Sequence, residues 1–445
     1  MEENRMKVIL IILFVTIITL SNNAQAEETT QRLTIDQAVD IALKENRALV
    51  AARIQVEEAR GRLKQAGLYP NPELESDFGI DTIFANDGER SFSVGINQPI
   101  SLSGRIGAQK NVASVDIKRT LADLTNIQRI LARDVRLSFI ELLTIQKQLK
   151  LQETLINLNS ELLKGIDNGI KEGLASQQDL NAVAIALQQA RQEKEVLIAQ
   201  RKSNILKINN LIGKQPTFNF IPQGELAYEA VNDLNNYNIE TAFAQRPDLK
   251  LAKLDVEFAE ADLKLVKALR FEDIKAGVFY GNDRLVLDSP AGQFTDSDQQ
   301  IGFKVTVPMP IFDRKQGLVQ EAKAREERAK KNVEALKLTI SQEVSDALNR
   351  VTTLSDLLET YQTGILKTAE ENVILVEDGF KQGLAAIVDV IQSRQQFTAL
   401  TSSYINTVRD YYVSLNDLQI STGEYQTSII SNKSNESEIN VDRQK

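Results

Sequence analysis

Apolar positions recur along most of this chain with the period of a helix. Taken every 3.5 residues from Ile117, through Leu121, Leu124, Leu131, Val135, Leu142, Ile145, Leu149, Ile156 and Leu163 to Ile166, 11 of 15 positions are apolar. A heptad seam of that length predicts long packed helices with a left-handed supercoil. No proline lies between Ile100 and Gln215 to break them. The spacing predicts a helix over 105–168, about 95 Å long at ~1.5 Å per residue, and a second over 315–378.

Two stretches change period. Tyr69-Pro70-Asn71-Pro72 stops the preceding helix. Leu74, Phe78 and Ile80 then alternate with Glu75, Asp77 and Gly79. After a turn at Ala85-Asn86-Asp87-Gly88, Phe92, Val94 and Ile96 alternate with Ser91, Ser93 and Gly95. Period 2 around a glycine-bearing turn predicts a β-hairpin over 73–98. A second is predicted over 273–307, with one strand at Asp273–Gly281. In its other strand Ile301, Phe303 and Val305 oppose Gln300, Gly302 and Lys304. Residues 282–299, rich in Asp, read as a long loop between them.

The chain also contains itself twice. At an offset of 200, Leu49/Leu249, Ala52/Ala252, Val56/Val256, Ala59/Ala259 and Leu63/Leu263 are identical. At an offset of 210, Gly169, Gly173, Leu174 and Asp179 return as Gly379, Gly383, Leu384 and Asp389. Units this long exclude a short-period solenoid. The expected order is a first repeat over 27–213, a linker over 214–238, and a second repeat over 239–425. Each repeat reads as helix, hairpin, long helix, tip turn (169–176 or 379–386) and return helix (177–212 or 387–422). The polar stretch 426–445 is expected to be disordered.

Composition narrows the function. The chain has no His, Cys or Trp. The usual general base, the usual nucleophile and the softer metal ligands are therefore missing. No enzyme, no cofactor and no metal site is expected. A net charge of −9 argues against a nucleic-acid partner. Arg5 and Lys7, the apolar run Val8–Leu20 and Ala24-Gln25-Ala26 read as a signal peptide over 1–26. The mature chain is then either a soluble protein outside the cytoplasm or a β-barrel. Hairpins with one apolar and one polar face suit a barrel between lipid and water. Four strands cannot close a useful barrel, whereas two chains would supply 8 and three would supply 12.

Ser176-Gln177-Gln178-Asp179 has the form of a helix capping box. In the second copy Ala386 cannot cap as Ser176 can, yet Asp389 is kept. A ring of such carboxylates about a symmetry axis would select cations.

Leu68-Tyr69-Pro70-Asn71-Pro72, Gln98-Pro99-Ile100, the stretch Val307–Gly317 and both Gly-x-x-x-Gly-Leu-Ala tips occur in order. With them the chain resembles the outer membrane efflux proteins, the TolC-like channels, over residues 33–425. It is most similar to their cobalt–zinc–cadmium resistance branch. The resemblance implies a mainly α protein with a transmembrane β-barrel: a homotrimer whose 12-stranded barrel continues as a long α-helical coiled-coil tube. It implies a passive conduit in the outer membrane of a Gram-negative bacterium, extending into the periplasm. A periplasmic adaptor would link it to a proton-driven inner-membrane pump, with metal cations among the possible cargoes.

Under that resemblance Gly169, Gly173, Leu174, Gly379, Gly383 and Leu384 face the adaptor. Asp389 and Asp179 lie at the periplasmic entrance. Phe92, Val94, Ile96, Ile301, Phe303 and Val305 face lipid. Some members carry a Tyr where Phe380 stands and an Arg where Ala385 stands, and these latch the entrance to the acid corresponding to Asp179. That polar latch cannot form here. The competing expectation is a soluble periplasmic coiled-coil scaffold, which osmotic shock would release without detergent.

Overall fold

The computed structural model describes residues 31–80, 88–231 and 234–425. The expected leader over 1–26, most of the first hairpin turn and the expected tail over 426–445 lie outside the described residues. The first half runs β1 (Gln31–Leu33), α1 (Ile35–Glu45), α2 (Arg47–Ala66), β2 (Glu73–Ile80), β3 (Arg90–Ile100), α3 (Arg105–Lys171) and α4 (Gln177–Leu211). The second runs β4 (Phe220–Pro222), α5 (Ile239–Gln245), α6 (Pro247–Ala268), β5 (Ile274–Ser289), β6 (Gly292–Thr306) and α7 (Gln316–Thr360). A π-helical turn (Tyr361–Ile365), α8 (Leu366–Lys381) and α9 (Ile387–Thr422) complete it. Among the described residues no helix is long and apolar enough to cross a membrane.

The structure corrects three expectations. First, residues 282–299 are not a loop. β5 and β6 stay in antiparallel register from Lys275↔Thr306 to Ser289↔Gly292, leaving two residues, 290 and 291, to turn the chain. The alternation was hidden because it changes face. Val278 and Tyr280 share one side of β5, whereas Leu285 and Leu287 occupy the other, opposite Asp296 and Phe294. Second, the long helix expected over 315–378 is interrupted by the π-helical turn. Tyr361 meets the Tyr404 ring at 5.9 Å, and Gln362 Nε2 donates to the Tyr404 hydroxyl. Third, the single helix expected at the start of each half is two helices, broken at Asn46 and at Arg246-Pro247. Proline suits the first turn of α6, where its missing N–H costs nothing.

Long helix α3 is the spine. The heptad stripe is buried at Leu131, Val135, Leu142 and Ile145, but Leu121 is left 46% exposed. Around its middle, Ala132, Phe139 and Ile140 are buried as well, so burial there encircles the helix. α1, Leu226 of the linker, and Tyr411 and Leu415 of α9 share that core. The parallel pair β1–β4, with Leu33 opposite Pro222, joins the start of the chain to the linker beside it.

Two joints fix how the helices of each half meet. At the first, Asn46 Oδ1 accepts the Leu49 N–H at 2.9 Å and caps α2. Its Nδ2 donates to the Leu211 carbonyl at the end of α4, at 2.8 Å. At the second, Arg246 Nη1 donates to the Ser421 carbonyl at the end of α9, at 3.2 Å. The same guanidinium pairs with Asp248 and Glu343, and Arg129 reaches the Ile420 carbonyl at 2.9 Å. Cations on the last carbonyls of a helix oppose its dipole. Gly213 and Gly423 close α4 and α9 at φ +75° and +91°. A Cβ at Gly213 would stand 2.4 Å from the Glu45 carbonyl oxygen, and one at Gly423 3.0 Å from Gln245 backbone carbon. Left-handed backbone and close approach both require glycine here.

Candidate functional site: the helical tips and the two-faced sheet

The two helical tips have nearly the same backbone. Leu174 N–H donates to the Gly169 carbonyl at 2.7 Å, and Leu384 N–H to the Gly379 carbonyl at 2.8 Å. Gly173 and Gly383 lie at φ +77° and +76°. This geometry ends a helix through a left-handed glycine. It leaves Leu174 and Leu384 each 80% exposed, an apolar knob on each turn.

The tips differ in their side chains. Ser176 Oγ accepts the Asp179 N–H at 3.2 Å, and Asp179 Oδ2 accepts the Ser176 N–H at 2.9 Å. The Ser176 hydroxyl also donates to that carboxylate at 2.6 Å. These bonds, the hydroxyl's foremost, hold the Asp179 carboxyl below its ordinary pKa. At the second tip Ala386 has no side-chain acceptor, so only the return bond forms, from Ala386 N–H to Asp389 Oδ2 at 3.0 Å. Asp389 is exposed. The sequence-predicted acids thus sit at equivalent helix starts, one engaged by a full capping box and one by half.

Behind the knobs, Ile166, Val183, Ile387 and Val390 form a small core joining α3, α4 and α9. Phe380 packs against it from α8. Where a polar latch is missing, this chain has an apolar joint between its two tips. Sequence reading also missed Arg394. Its Nε donates to Glu377 at 2.7 Å, and its Nη1 to the Leu158 carbonyl of α3 at 3.1 Å. Helix periodicity alone does not reveal it, because an arginine on a long amphipathic helix usually lies in solvent.

At the far end, the strands form one antiparallel sheet in the order β2-β3-β5-β6. Register places Leu74, Ile96, Val278 and Phe303 in one row, and Val94, Tyr280 and Ile301 in the next. Phe92 and Val305 share that side. All six residues read as lipid-facing from the sequence therefore meet on one face, and Val278 and Tyr280 join them. Ile301 and Phe303 are 82% and 85% exposed. The other face is polar. Lys275 pairs with Glu73 at 2.6 Å, and Glu75 accepts from Asn97 at 2.7 Å. Lys304 of edge strand β6 reaches Glu75 of the opposite edge strand β2 at 3.1 Å. In a flat sheet those edges would lie about 14 Å apart. The ion pair requires a sheet curled toward its polar face. Among the described residues no cluster of acids could hold a metal ion.

Residues 38–214 and 238–424 match the family described as outer membrane efflux protein. The cobalt-zinc-cadmium resistance protein CzcC of Cupriavidus metallidurans is 24% identical over 392 residues, 86% of this chain and 88% of that one. The probable outer membrane lipoprotein SilC of Salmonella typhimurium is 21% identical over 406 residues, 87% of this chain and 85% of that one. The crystal structure of CusC, which bears on transmembrane channel formation, superposes with a TM-score of 0.72 at 16% identity, over 88% of this chain and 92% of that chain. Matched over most of its length, with its tips and two-faced sheet in the matched segments or between matched helices, the chain belongs to the outer membrane efflux protein family.

Proposed function

We propose that this chain is the outer membrane conduit of a tripartite efflux system, working as a homotrimer. Three four-stranded sheets make a 12-stranded barrel, and the helices continue it as a periplasmic tube. The two halves of the chain act as copies of one unit around that tube. A periplasmic adaptor meets the tips, and a proton-driven inner-membrane pump delivers the cargo. Metal cations are the cargo class favoured by the relative CzcC, a cobalt-zinc-cadmium resistance protein. The conduit performs no chemistry and needs no cofactor.

One observation carries the reading. The sheet exposes an apolar face, curls toward a polar one and, among the described residues, leaves both of its edge strands unpaired. Open edges and exposed apolar area are costly in water. Lipid and two further copies remove both costs. Leu174 and Leu384 then offer matching apolar anchors to the adaptor, while Gly169, Gly173, Gly379 and Gly383 shape the turns that present them. Asp389 is the better candidate for charge at the entrance, since Asp179 is committed to its capping box.

The test is conductance of the detergent-extracted protein in a planar bilayer. Discrete pores support the conduit, and no pore under any opening condition overturns it. In the same recordings Asp389→Ala is expected to lower preference for cations, with Asp179→Ala changing it less. Equal effects would remove the distinction between the two acids.

A further inference from the structure

We propose that Arg90 and Arg284 bind the phosphate of an outer-leaflet glycolipid on the outside of the sheet. The inference rests on the reading that the apolar face meets lipid. Arg90 on β3 and Arg284 on β5 stand directly opposite each other in the register. Cβ atoms so paired are about 5 Å apart, and like charges there repel. Among the described residues neither guanidinium makes a hydrogen bond or an ion pair. The acids at this level face the other way. Asp283 and Asp298 oppose each other on the concave side, where Asp283 accepts from Gln300. Glu89, next to Arg90 in the chain, accepts the Val286 N–H at 3.2 Å.

The surroundings suit a phosphorylated lipid. Ile80 and Ser297 complete the arginine row, and Phe92, Asn282 and Gln299 form the row below. Arginine, amide and hydroxyl donors thus lie beside apolar side chains, with no carboxylate on that side of either row. The band below runs along β3 from Ile100 to Phe92, interrupted only by Gln98. Arg90 stands ten residues beyond Ile100, about 33 Å along the strand at ~3.3 Å per residue and about 25 Å in height at a barrel tilt of ~40°. A barrel's lipid-facing band is about 25 Å tall. The arginine row therefore stands at the edge of that band, at the depth of the headgroups. They lie toward the hairpin tips, away from the helices, which selects the outer leaflet. Guanidinium forks match phosphate oxygens bidentately, so one phosphate between two arginines removes their repulsion.

Native mass spectrometry of the full chain, extracted in detergent, tests this with lipid A as the probe. The parent is expected to retain lipid A, and Arg90→Gln combined with Arg284→Gln to weaken binding at least tenfold. Dephosphorylated lipid A should bind the parent as weakly as lipid A binds that variant. Lysine at both positions should give an intermediate loss, since it keeps the charge without the fork. Binding by the glutamine variant within twofold of the parent overturns the proposal. Displacement of lipid A by equimolar inorganic phosphate also overturns it, by making this a free-anion site. Release of the parent from membranes without detergent sinks the barrel reading and this site together. A detergent-requiring chain with phosphate-independent binding sinks this site alone.

Discussion

At their joints, tips and long-helix starts, the first and second halves of this chain share local backbone geometry with different chemistry. At the joints, neutral Asn46 and charged Arg246 each reach the last carbonyls of the return helix in their own half. At the tips, Ser176 completes a capping box that Ala386 cannot. Where the long helix begins, Gly104 and Lys315 both adopt left-handed backbone, at φ +73° and +55°. At these positions the two halves share backbone geometry, while the side chains that support it differ. At its joint the second half buries a charged residue, Arg246, where the first uses neutral Asn46 and keeps its Lys214–Glu45 ion pair nearer the surface.

The glycines at the joints give the largest test. Gly213→Ala combines a left-handed alanine, about 1–2 kcal/mol, with a collision on backbone, about 1–3 kcal/mol. Gly423→Ala should cost less in thermal unfolding of the detergent-solubilised protein, because its collision is milder. Equal losses would mean that backbone strain alone decides. Next comes the joint residue itself. Arg246→Ala leaves Asp248 half-buried with Arg129 as its remaining cation, and should cost about 3 kcal/mol, the low end for breaking a buried pair. Asn46→Ala removes a helix cap, about 1 kcal/mol. If Asn46→Ala is the more damaging, the charged joint is not the stronger one.

Acid should separate the halves in the same way. Burial pushes the Asp248 carboxyl up, but hydrogen bonds from Arg246 and the charges of Arg129 and Arg246 outweigh it and hold the carboxyl below the ordinary range. A depressed folded pKa stabilises above the unfolded value, about 3.9, and that contribution is lost as pH falls through the folded one. The melting-temperature gap between parent and Asp248→Asn should therefore close below about pH 4. A gap that does not narrow as pH falls below about 4 would show that the carboxylate's charge is not what matters.

The smallest effects are at the helix starts. Ser176→Ala should cost about 1 kcal/mol, and Ala386→Ser should gain a comparable amount by completing the second box. Lys315→Gly should stabilise by roughly 1 kcal/mol, by relieving a left-handed side chain. No gain at Ala386 would mean that its turn is held by the Phe380 core rather than by capping.

Much of this was legible in the sequence. Helix period marked α3, and strict alternation marked β2 and β3. The upper half of the β5–β6 hairpin was not legible, because Leu285, Leu287 and Phe294 occupy the face that is polar lower down. A period-2 pattern that changes side, interspersed with Asp and Gly, looks like a loop. Asn46 and Arg246 were invisible as a pair because they share a place and not a chemistry. Gly213 and Gly423 could have been found, since they recur at the same offset of 210 as the tips. Phe380 and Ala385 marked where the polar latch was missing. What replaces it needed three dimensions, because its core gathers residues from four helices.

The two unpaired edges of the sheet also govern how the protein is made. A lone protomer presents strands of 8 and 15 residues, β2 and β6, with open hydrogen-bonding edges beside a bare apolar face. Any similar edge would serve as a partner, including one from an unrelated unfolded chain. The helices close mostly local contacts and form early, while in the proposed trimer closure of the sheet waits for two more copies. If the proposed trimer holds, its monomers are short-lived or escorted. Slowing their encounter, by dilution or by loss of an escort, should produce aggregates nucleated at the strands and sparing the rods.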